Sequence, residues 1–157
     1  MFKMADRATD LTAMPIERVE TQVMFLRSTD DPAKFGPLWE RLETLVGLRG
    51  RKFFGAFYAY TQEYHVCVEM REEDDPAALG LESGTLPGGR YLRTRLLGEP
   101  PEVYKRIGPT FDALVKAAQP DETRPFIEFY RQRDEIDLLL PIATSDTSDA
   151  SLSRTSP

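Results

Sequence analysis

The chain has very little of two residue types that mark particular protein classes. Its 157 residues include one cysteine, Cys67, and one histidine, His65. A single cysteine excludes a disulfide within the chain and favours a reducing, cytoplasmic location. A single histidine leaves no credible Ser-His-Asp catalytic arrangement.

Long apolar runs and an excess of basic charge are also missing. No apolar run is long enough to cross a bilayer, and the first fifteen residues lack the hydrophobic stretch of a signal peptide. Asp and Glu outnumber Lys and Arg by 26 to 20, which gives a net charge of −6. We therefore expect neither a membrane nor a nucleic acid as a direct partner.

Both ends of the chain are poor in the residues that build a core. Residues 1–15 show no sustained hydrophobic period, and residues 143–157 consist mostly of Ser, Thr, Asp and Ala. Such segments bury too little apolar surface to offset the entropy lost on ordering. The sequence predicts a disordered N-terminus over 1–15, one domain over 16–142 and a disordered tail over 143–157.

The central part predicts an α+β domain with six strands and two helices. Strand residues concentrate in six segments, namely 18–27, 53–60, 64–71, 91–97, 124–131 and 135–142. Apolar residues at helical spacing run from Phe35 to Val46, where Gly36 and Pro37 predict the first turn and Gly47 the end. A second helix is predicted over 102–118, and residues 72–89 read as a long irregular connection.

The element order, β-α-β-β followed by β-α-β-β, indicates an internal duplication. An ungapped shift of 72 residues lays 35–42 on 107–114 and 54–58 on 126–130, with Gly, Pro and aromatic residues matched. Coincidence between two similar amphipathic helices is the alternative. We expect repeats over about 17–71 and 90–142, a curved antiparallel sheet with both helices on one face, and a pocket at the seam between the repeats.

One carboxylate stands out within an apolar strand. Strand alternation places Glu128 on the same face as Phe126 and Tyr130, and a buried charge is costly unless it is paired, protonated or kept for a ligand. The 72-residue shift matches Glu128 with Ala56, so one repeat would leave room where the other supplies an acid. Exposure of Glu128 to solvent, or pairing with an arginine, is the alternative.

Aromatic residues accompany this carboxylate in both halves. Rings beside an acid form a receptor for flat or cationic organic molecules, through stacking and cation–π attraction. The alternative is that these rings simply belong to the core. The predicted ligand-binding residues are Glu128, Tyr130, Phe126, Tyr58, Phe54, Ala56, Trp39 and Phe111.

A metal site is not predicted. His65, Cys67 and Glu69 alternate along one strand, a pattern that suits metal ligation in principle. A solvated strand face explains it better, because the chain offers no further His or Cys. We expect neither a metal nor another cofactor.

Three short motifs resemble those of the GyrI-like small-molecule-binding domains, which also serve as effector-binding domains of multidrug-responsive transcription regulators. They are Leu-Pro-Gly-Gly-Arg-Tyr at 86–91, Gly98 after the fourth predicted strand, and Pro-Phe-Ile-Glu-Phe-Tyr at 125–130. The similarity covers about residues 17–142. It implies a duplicated fold with a ligand groove between two helices, in which Glu128 meets lipophilic cations within an aromatic pocket.

The resemblance leaves three functions open. The first is a stand-alone binding protein that senses or sequesters lipophilic, cationic or aromatic compounds. The second is a hydrolase that opens cyclopropane-containing toxins, with Glu128 as acid or base and Tyr130 or Tyr58 assisting. The third is a protein-binding inhibitor of DNA gyrase. The segment ahead of the first predicted strand, 1–17, is too short for the DNA-binding helical domain of the regulators.

Overall fold

A computed structural model describes residues 12–143, which form one curled antiparallel sheet and three α-helices. None of these helices is long and apolar enough to span a membrane. The helices are α1 (Pro32–Val46), α2 (Pro76–Leu79) and α3 (Ile107–Ala117), and a 3-10 helix (Val103–Arg106) leads into α3. The strands are β1 (Met14–Arg18), β2 (Thr21–Thr29), β3 (Phe53–Tyr58), β4 (Glu63–Glu69), β5 (Glu82–Leu86), β6 (Gly89–Leu97), β7 (Phe126–Gln132) and β8 (Glu135–Pro141).

The strand order is symmetric about the centre of the sheet. The order is β1-β6-β8-β7-β3-β4-β2-β5, so β8 and β6 follow β7 outward as β4 and β2 follow β3. Helix α1 packs on β2 and β4, and helix α3 packs on β8. The apolar side chains beneath the two helices meet where Trp39 contacts Tyr130. The predicted α+β class, the curved antiparallel sheet and the placement of both helices on one face are confirmed.

Strands β1 and β5, which form the two edges, were not predicted. β1 begins at Met14, within the segment expected to be irregular, and β5 with α2 occupies the predicted connection 72–89. Edge strands are largely exposed and so lack the apolar alternation that reveals a buried strand. The remainder of the two predicted disordered ends, 1–11 and 144–157, lies outside the described residues.

Helix α1 starts earlier than predicted. The Asp31 carboxylate accepts a hydrogen bond from the Ala33 amide at 3.1 Å, and Pro32 takes the first helical position, where no amide hydrogen is required. Pro37 therefore lies inside the helix instead of in its first turn. Gly47 ends the helix as predicted, with a left-handed φ of 79°.

The face of the sheet away from the helices encloses a second core. Val23, Ala56, Cys67, Tyr91 and Ile127 are each at most 2% exposed there. This corrects the prediction of a solvated face on β4, because curling of the sheet closes over a surface that carries no helix. His65 is only 9% exposed, and its ring stacks on Phe25 with centroids 4.5 Å apart.

The turn between β5 and β6 explains the motif at 86–91 in structural terms. A Cβ on Gly88 would lie 2.6 Å from the Arg18 carbonyl oxygen, so only glycine permits this approach to the end of β1. Arg18 and Tyr91 both donate side-chain hydrogen bonds to the Pro87 carbonyl, each at 2.8 Å. These residues join β1 to the turn and close the enclosed core.

Arg124 holds the same turn from the other side. Its guanidinium donates to the carbonyl oxygens of Arg90 at 3.1 Å and Ile142 at 2.5 Å, and it lies over the Tyr91 ring at 4.8 Å. A lysine has one nitrogen and cannot bridge these separate carbonyls.

We expect Arg124→Lys to lower the free energy of unfolding by about 1–3 kcal/mol, because buried carbonyls lose their donors. Urea unfolding monitored by circular dichroism measures the change. Arg133→Lys, at an exposed position, serves as the control and should change stability by less than about 0.5 kcal/mol. Equal stability of the two variants would contradict a structural role for Arg124.

Candidate functional site

Glu128 lies buried at the centre of the sheet, on the face that carries the helices. The residue is 8% exposed and stands between Phe126 and Tyr130 on β7. Its Oε1 atom accepts hydrogen bonds from the hydroxyl groups of Tyr64, at 2.7 Å, and Tyr130, at 2.6 Å. No salt bridge reaches this carboxylate from residues 12–143. The group is therefore held by two neutral donors and has no cationic partner there.

Gly55 provides the space that this arrangement needs. It is the cross-strand partner of Glu128 in the β3–β7 pair. A Cβ at this position would overlap both the Tyr64 hydroxyl and Glu128 Oε1. The absence of a side chain at Gly55 therefore allows a carboxylate and a phenol to meet above β3.

The residue opposite Glu128 on β3 is Gly55, one position before the Ala56 with which the 72-residue shift matches Glu128. Gly55 pairs with Val66 and Glu128 pairs with Leu138. Gly55 and Val66 are 11 positions apart in the chain, whereas Glu128 and Leu138 are 10 positions apart. The second hairpin is therefore one residue shorter. Under the predicted repeat, a shift of 72 matches Val66 with Leu138, whereas a shift of 73 is needed to match Gly55 with Glu128, the residue that lies opposite it.

This register removes three predicted residues from the surroundings of Glu128. Because alternate residues of a strand face opposite ways, Phe54, Ala56 and Tyr58 point away from the helices. Phe54 stacks on Phe129 with centroids 4.9 Å apart, and Tyr58 lies 4.6 Å from the His65 ring. All three contribute to the enclosed core instead.

The other predicted aromatic residues lie on the helix-bearing face with Glu128. The Trp39 ring contacts the Tyr130 ring edge-on at 5.2 Å, and Phe111 lies 5.4 Å from Phe126. Tyr104, at 41% exposed, also contacts Tyr130, at 6.2 Å. The predicted seam is thus filled by aromatic rings, and a cavity of about 130 Å³ lies elsewhere, lined by Thr12, Met14, Arg93, Thr94 and Arg95.

Sequence reasoning missed Tyr64, the second donor to Glu128. Tyr64 is 3% exposed and its ring stacks on Phe35 of α1 at 4.0 Å. It shares its strand face with Val66 and Val68. The alternation of Tyr64, Val66 and Val68 is a usable signal, but it is the pattern of any strand that faces a core.

Burial controls the proton affinities in this cluster. It raises the pKa of Glu128 above the ordinary 4.5, although the hydrogen bonds from Tyr130 and Tyr64 partly oppose the shift. Burial, reinforced by the Glu128 charge, also holds the pKa of Tyr64 and of Tyr130 well above 10. The two phenols therefore remain neutral donors, and the carboxyl group is the titrating member of the site.

Comparison with known proteins finds relatives by structure alone. No family model matches the chain, and no curated protein matches its sequence. The integron cassette protein VCH_CASS2 from the mobile metagenome of Vibrio cholerae superposes with a TM-score of 0.65 at 17% identity, covering 83% of this chain and 95% of that one.

Two further structures extend the likeness. SAV2435, solved with tetraphenylphosphonium bound, gives a TM-score of 0.62 at 11% identity and covers 87% of this chain and 97% of its own. The EcmrR C-terminal domain gives 0.56 at 11% identity, with 85% and 98% covered. Identities this low establish the likeness of fold and nothing finer.

We expect Gly55→Ala to destabilise the protein by about 1–3 kcal/mol, because the new methyl group displaces both the Tyr64 hydroxyl and the Glu128 carboxylate. Chemical denaturation measures this cost in the wild type and in a Tyr64→Phe background. Removing the hydroxyl relieves part of the overlap, so the double mutant should be more stable than additivity predicts by about 1 kcal/mol. Strict additivity would mean that Gly55 does not serve this contact.

Glu128 should make stability depend on pH in a defined direction. Its pKa is higher in the folded chain than in the unfolded one, so the native state binds the proton more tightly. This contribution is fully present below pH 4.5 and is lost as the pH rises through the folded pKa. Relative to wild type, Glu128→Gln should therefore gain stability as the pH rises from about 4.5 towards neutrality, by at most about 1.4 kcal/mol per pH unit.

Denaturation midpoints measured every half unit of pH give this difference directly. The exposed variant Glu122→Gln removes the same charge and should leave the slope of the wild type unchanged. Parallel curves for wild type and Glu128→Gln would contradict the raised pKa.

Proposed function

We propose that this protein binds small lipophilic cations, with Glu128 as the charge partner and the surrounding aromatic rings as walls. The observation that carries the proposal is a carboxylate that is 8% exposed, hydrogen-bonded to two phenols and without a salt bridge among the described residues. A cation at this point would replace the proton that burial favours. Its charge would stabilise the ionised carboxylate, and its apolar groups would pack on the rings.

A purely structural role explains the carboxylate poorly. Burying an acid without a cationic partner costs free energy, and an apolar residue could fill the position between Phe126 and Tyr130 at no such cost. Groups of this kind are retained at functional sites, where stability is lost in exchange for binding or chemistry. The absence of a side chain at Gly55, on the neighbouring strand, supports the same interpretation.

The structural neighbours agree with a role in small-molecule binding. SAV2435 was solved with a lipophilic cation, tetraphenylphosphonium, and the EcmrR structure is that of a C-terminal domain. We propose that the present chain shares a GyrI-like effector-binding function and uses it to sense or sequester such compounds.

Entry to the carboxylate requires a movement of aromatic side chains. Tyr130 carries one of the two hydroxyl groups and lies between Trp39 and Tyr104. Tyr104 is the exposed member of this group and lies on the short 3-10 helix, next to the buried Val103. We expect it to swing outward as a ligand enters, while the β7 backbone stays in place.

Tetraphenylphosphonium provides a direct test, and Trp39, the one tryptophan of the chain, provides a fluorescence signal within the site. We expect wild type to bind it and Glu128→Gln to lose about 1–3 kcal/mol of affinity, because the charge-assisted contact is gone. Titration calorimetry in buffers of different ionisation enthalpy should also report proton release in wild type at a pH where Glu128 is protonated. That release should vanish in Glu128→Gln.

Two controls separate the role of Glu128 from general effects. Glu122→Gln carries the same net charge as Glu128→Gln and should bind like wild type. Triphenylphosphine oxide is a neutral aromatic compound of similar size. It should bind wild type and Glu128→Gln alike, since stacking and burial carry its affinity. Equal losses for the cation and the neutral compound would refute the electrostatic role.

Hydrolysis is the second candidate, and the raised pKa of Glu128 is the observation that favours it. A carboxyl group with a pKa nearer neutrality suits general-acid catalysis, and Tyr130 or Tyr64 lies within hydrogen-bond distance to assist. The predicted assistant Tyr58 faces the other side of the sheet. Mass spectrometry of a cyclopropane-containing electrophile after incubation distinguishes the two functions. Loss of the compound that depends on Glu128 would assign an enzyme, and its recovery unchanged would assign a binding protein.

A further inference from the structure

Helix α1 carries a second carboxylate in line with the rings that surround Glu128. Phe35, Trp39 and Glu43 recur every four residues and so lie along one side of the helix. Phe35 stacks on Tyr64 at 4.0 Å, and Trp39 contacts Tyr130 at 5.2 Å. Glu43 continues this line by one turn, away from the buried end marked by Tyr64.

The 3-10 helix supplies the opposite side at this level. Tyr104 contacts Tyr130 at 6.2 Å and is 41% exposed. Burial raises the pKa of Tyr104, Arg133 opposes this shift, and the Glu43 carboxylate reinforces it. The Glu43 carboxylate on α1 and the Tyr104 hydroxyl on the 3-10 helix are therefore close enough to interact electrostatically.

Glu43 forms no salt bridge with Arg133, the cation whose charge also acts on Tyr104. It is half-buried, and no salt bridge to it or to Glu40 forms within the described chain, 12–143. Burial, together with the charge of Glu40, raises the pKa of Glu43. Acidic residues on a helix are ordinary by themselves. The distinguishing observation here is Glu128, which is 8% exposed beside the same aromatic rings and forms no salt bridge within residues 12–143.

We propose that the site selects elongated dications, with one positive centre at Glu128 and the second at Glu43. This inference rests on the proposed binding of cations at Glu128. One helical turn plus one ring-to-ring contact gives a separation of the two carboxylates on the order of 10 Å. The Tyr130 ring contacts the rings of Trp39 and Tyr104, and we expect these three rings to pack against an apolar linker.

A matched series of quaternary ammonium compounds tests the proposal. Each bis(trimethylammonium)alkane is compared with the alkyltrimethylammonium of the same chain length, and Trp39 fluorescence reports binding at low ionic strength. We expect the dication to bind about ten-fold more tightly once its linker spans the site, because a partly buried ion pair adds to the first. Linkers too short to span should give no advantage.

Two variants of one helix locate the second contact. Glu43→Gln should bring the dication down to the affinity of the monocation and leave the monocation within about two-fold of wild type. Glu40→Gln, at an exposed position three residues earlier, removes the same charge and should retain most of the ten-fold advantage. Glu and Gln have similar helix propensity, so neither variant should disturb α1.

The outcomes separate this inference from the proposed function. If monocations bind in a Glu128-dependent manner and dications bind no better at any length, the role of Glu43 is refuted and the cation site stands. Equal losses in Glu40→Gln and Glu43→Gln would also refute it, since net charge alone would then explain the preference. If no cation of either kind binds, the proposed function fails and this inference fails with it.

Discussion

The pair formed by Gly55 and Glu128 is the constraint on which the helix side of this molecule depends. The two residues lie opposite each other at the centre of an eight-stranded sheet. Because Gly55 has no side chain, Tyr64 reaches across β3 and meets Tyr130 at a single carboxylate oxygen. The position of Tyr64 in turn sets where Phe35 of α1 can stack. The space left at Gly55 thus contributes to the packing of the first helix through Tyr64 and Phe35.

The two faces of the sheet bury different kinds of residue, and one of them carries the proposed binding site. The enclosed core on one face is built from fully buried apolar residues and is closed at the turn by Arg18 and Arg124. The helix-bearing face also has buried apolar clusters, but it contains in addition a buried acid and several partly exposed rings. A protein with a separate core tolerates a strained or polar site on its other face, since the fold does not rely on that site alone.

The arrangement at Glu128 also explains why binding and acid catalysis are hard to tell apart from residues. Both require a desolvated carboxyl group with a raised pKa and neutral donors that orient it. They differ in whether the bound molecule contains a bond that the carboxyl proton can help to break. That difference lies in the ligand, so it is decided by whether a compound is consumed or recovered unchanged after incubation.

The sequence by itself determined the class of the fold and the central acid, because both depend on local periodicity. Alternation placed Glu128 with Phe126 and Tyr130 on one face of β7, and helical spacing placed Trp39 and Phe111 on core-facing sides. The edge strands β1 and β5 were not predicted, since their exposure removes the apolar alternation that reveals a strand.

Only the tertiary structure decided which residues surround the acid. The pairing of β3 with β7 places Gly55, and not Ala56, opposite Glu128, and it therefore turns Phe54 and Tyr58 to the other core. Tyr64 became a partner of Glu128 for the same reason, because a contact across two strands follows from pairing and has no signature within either strand alone.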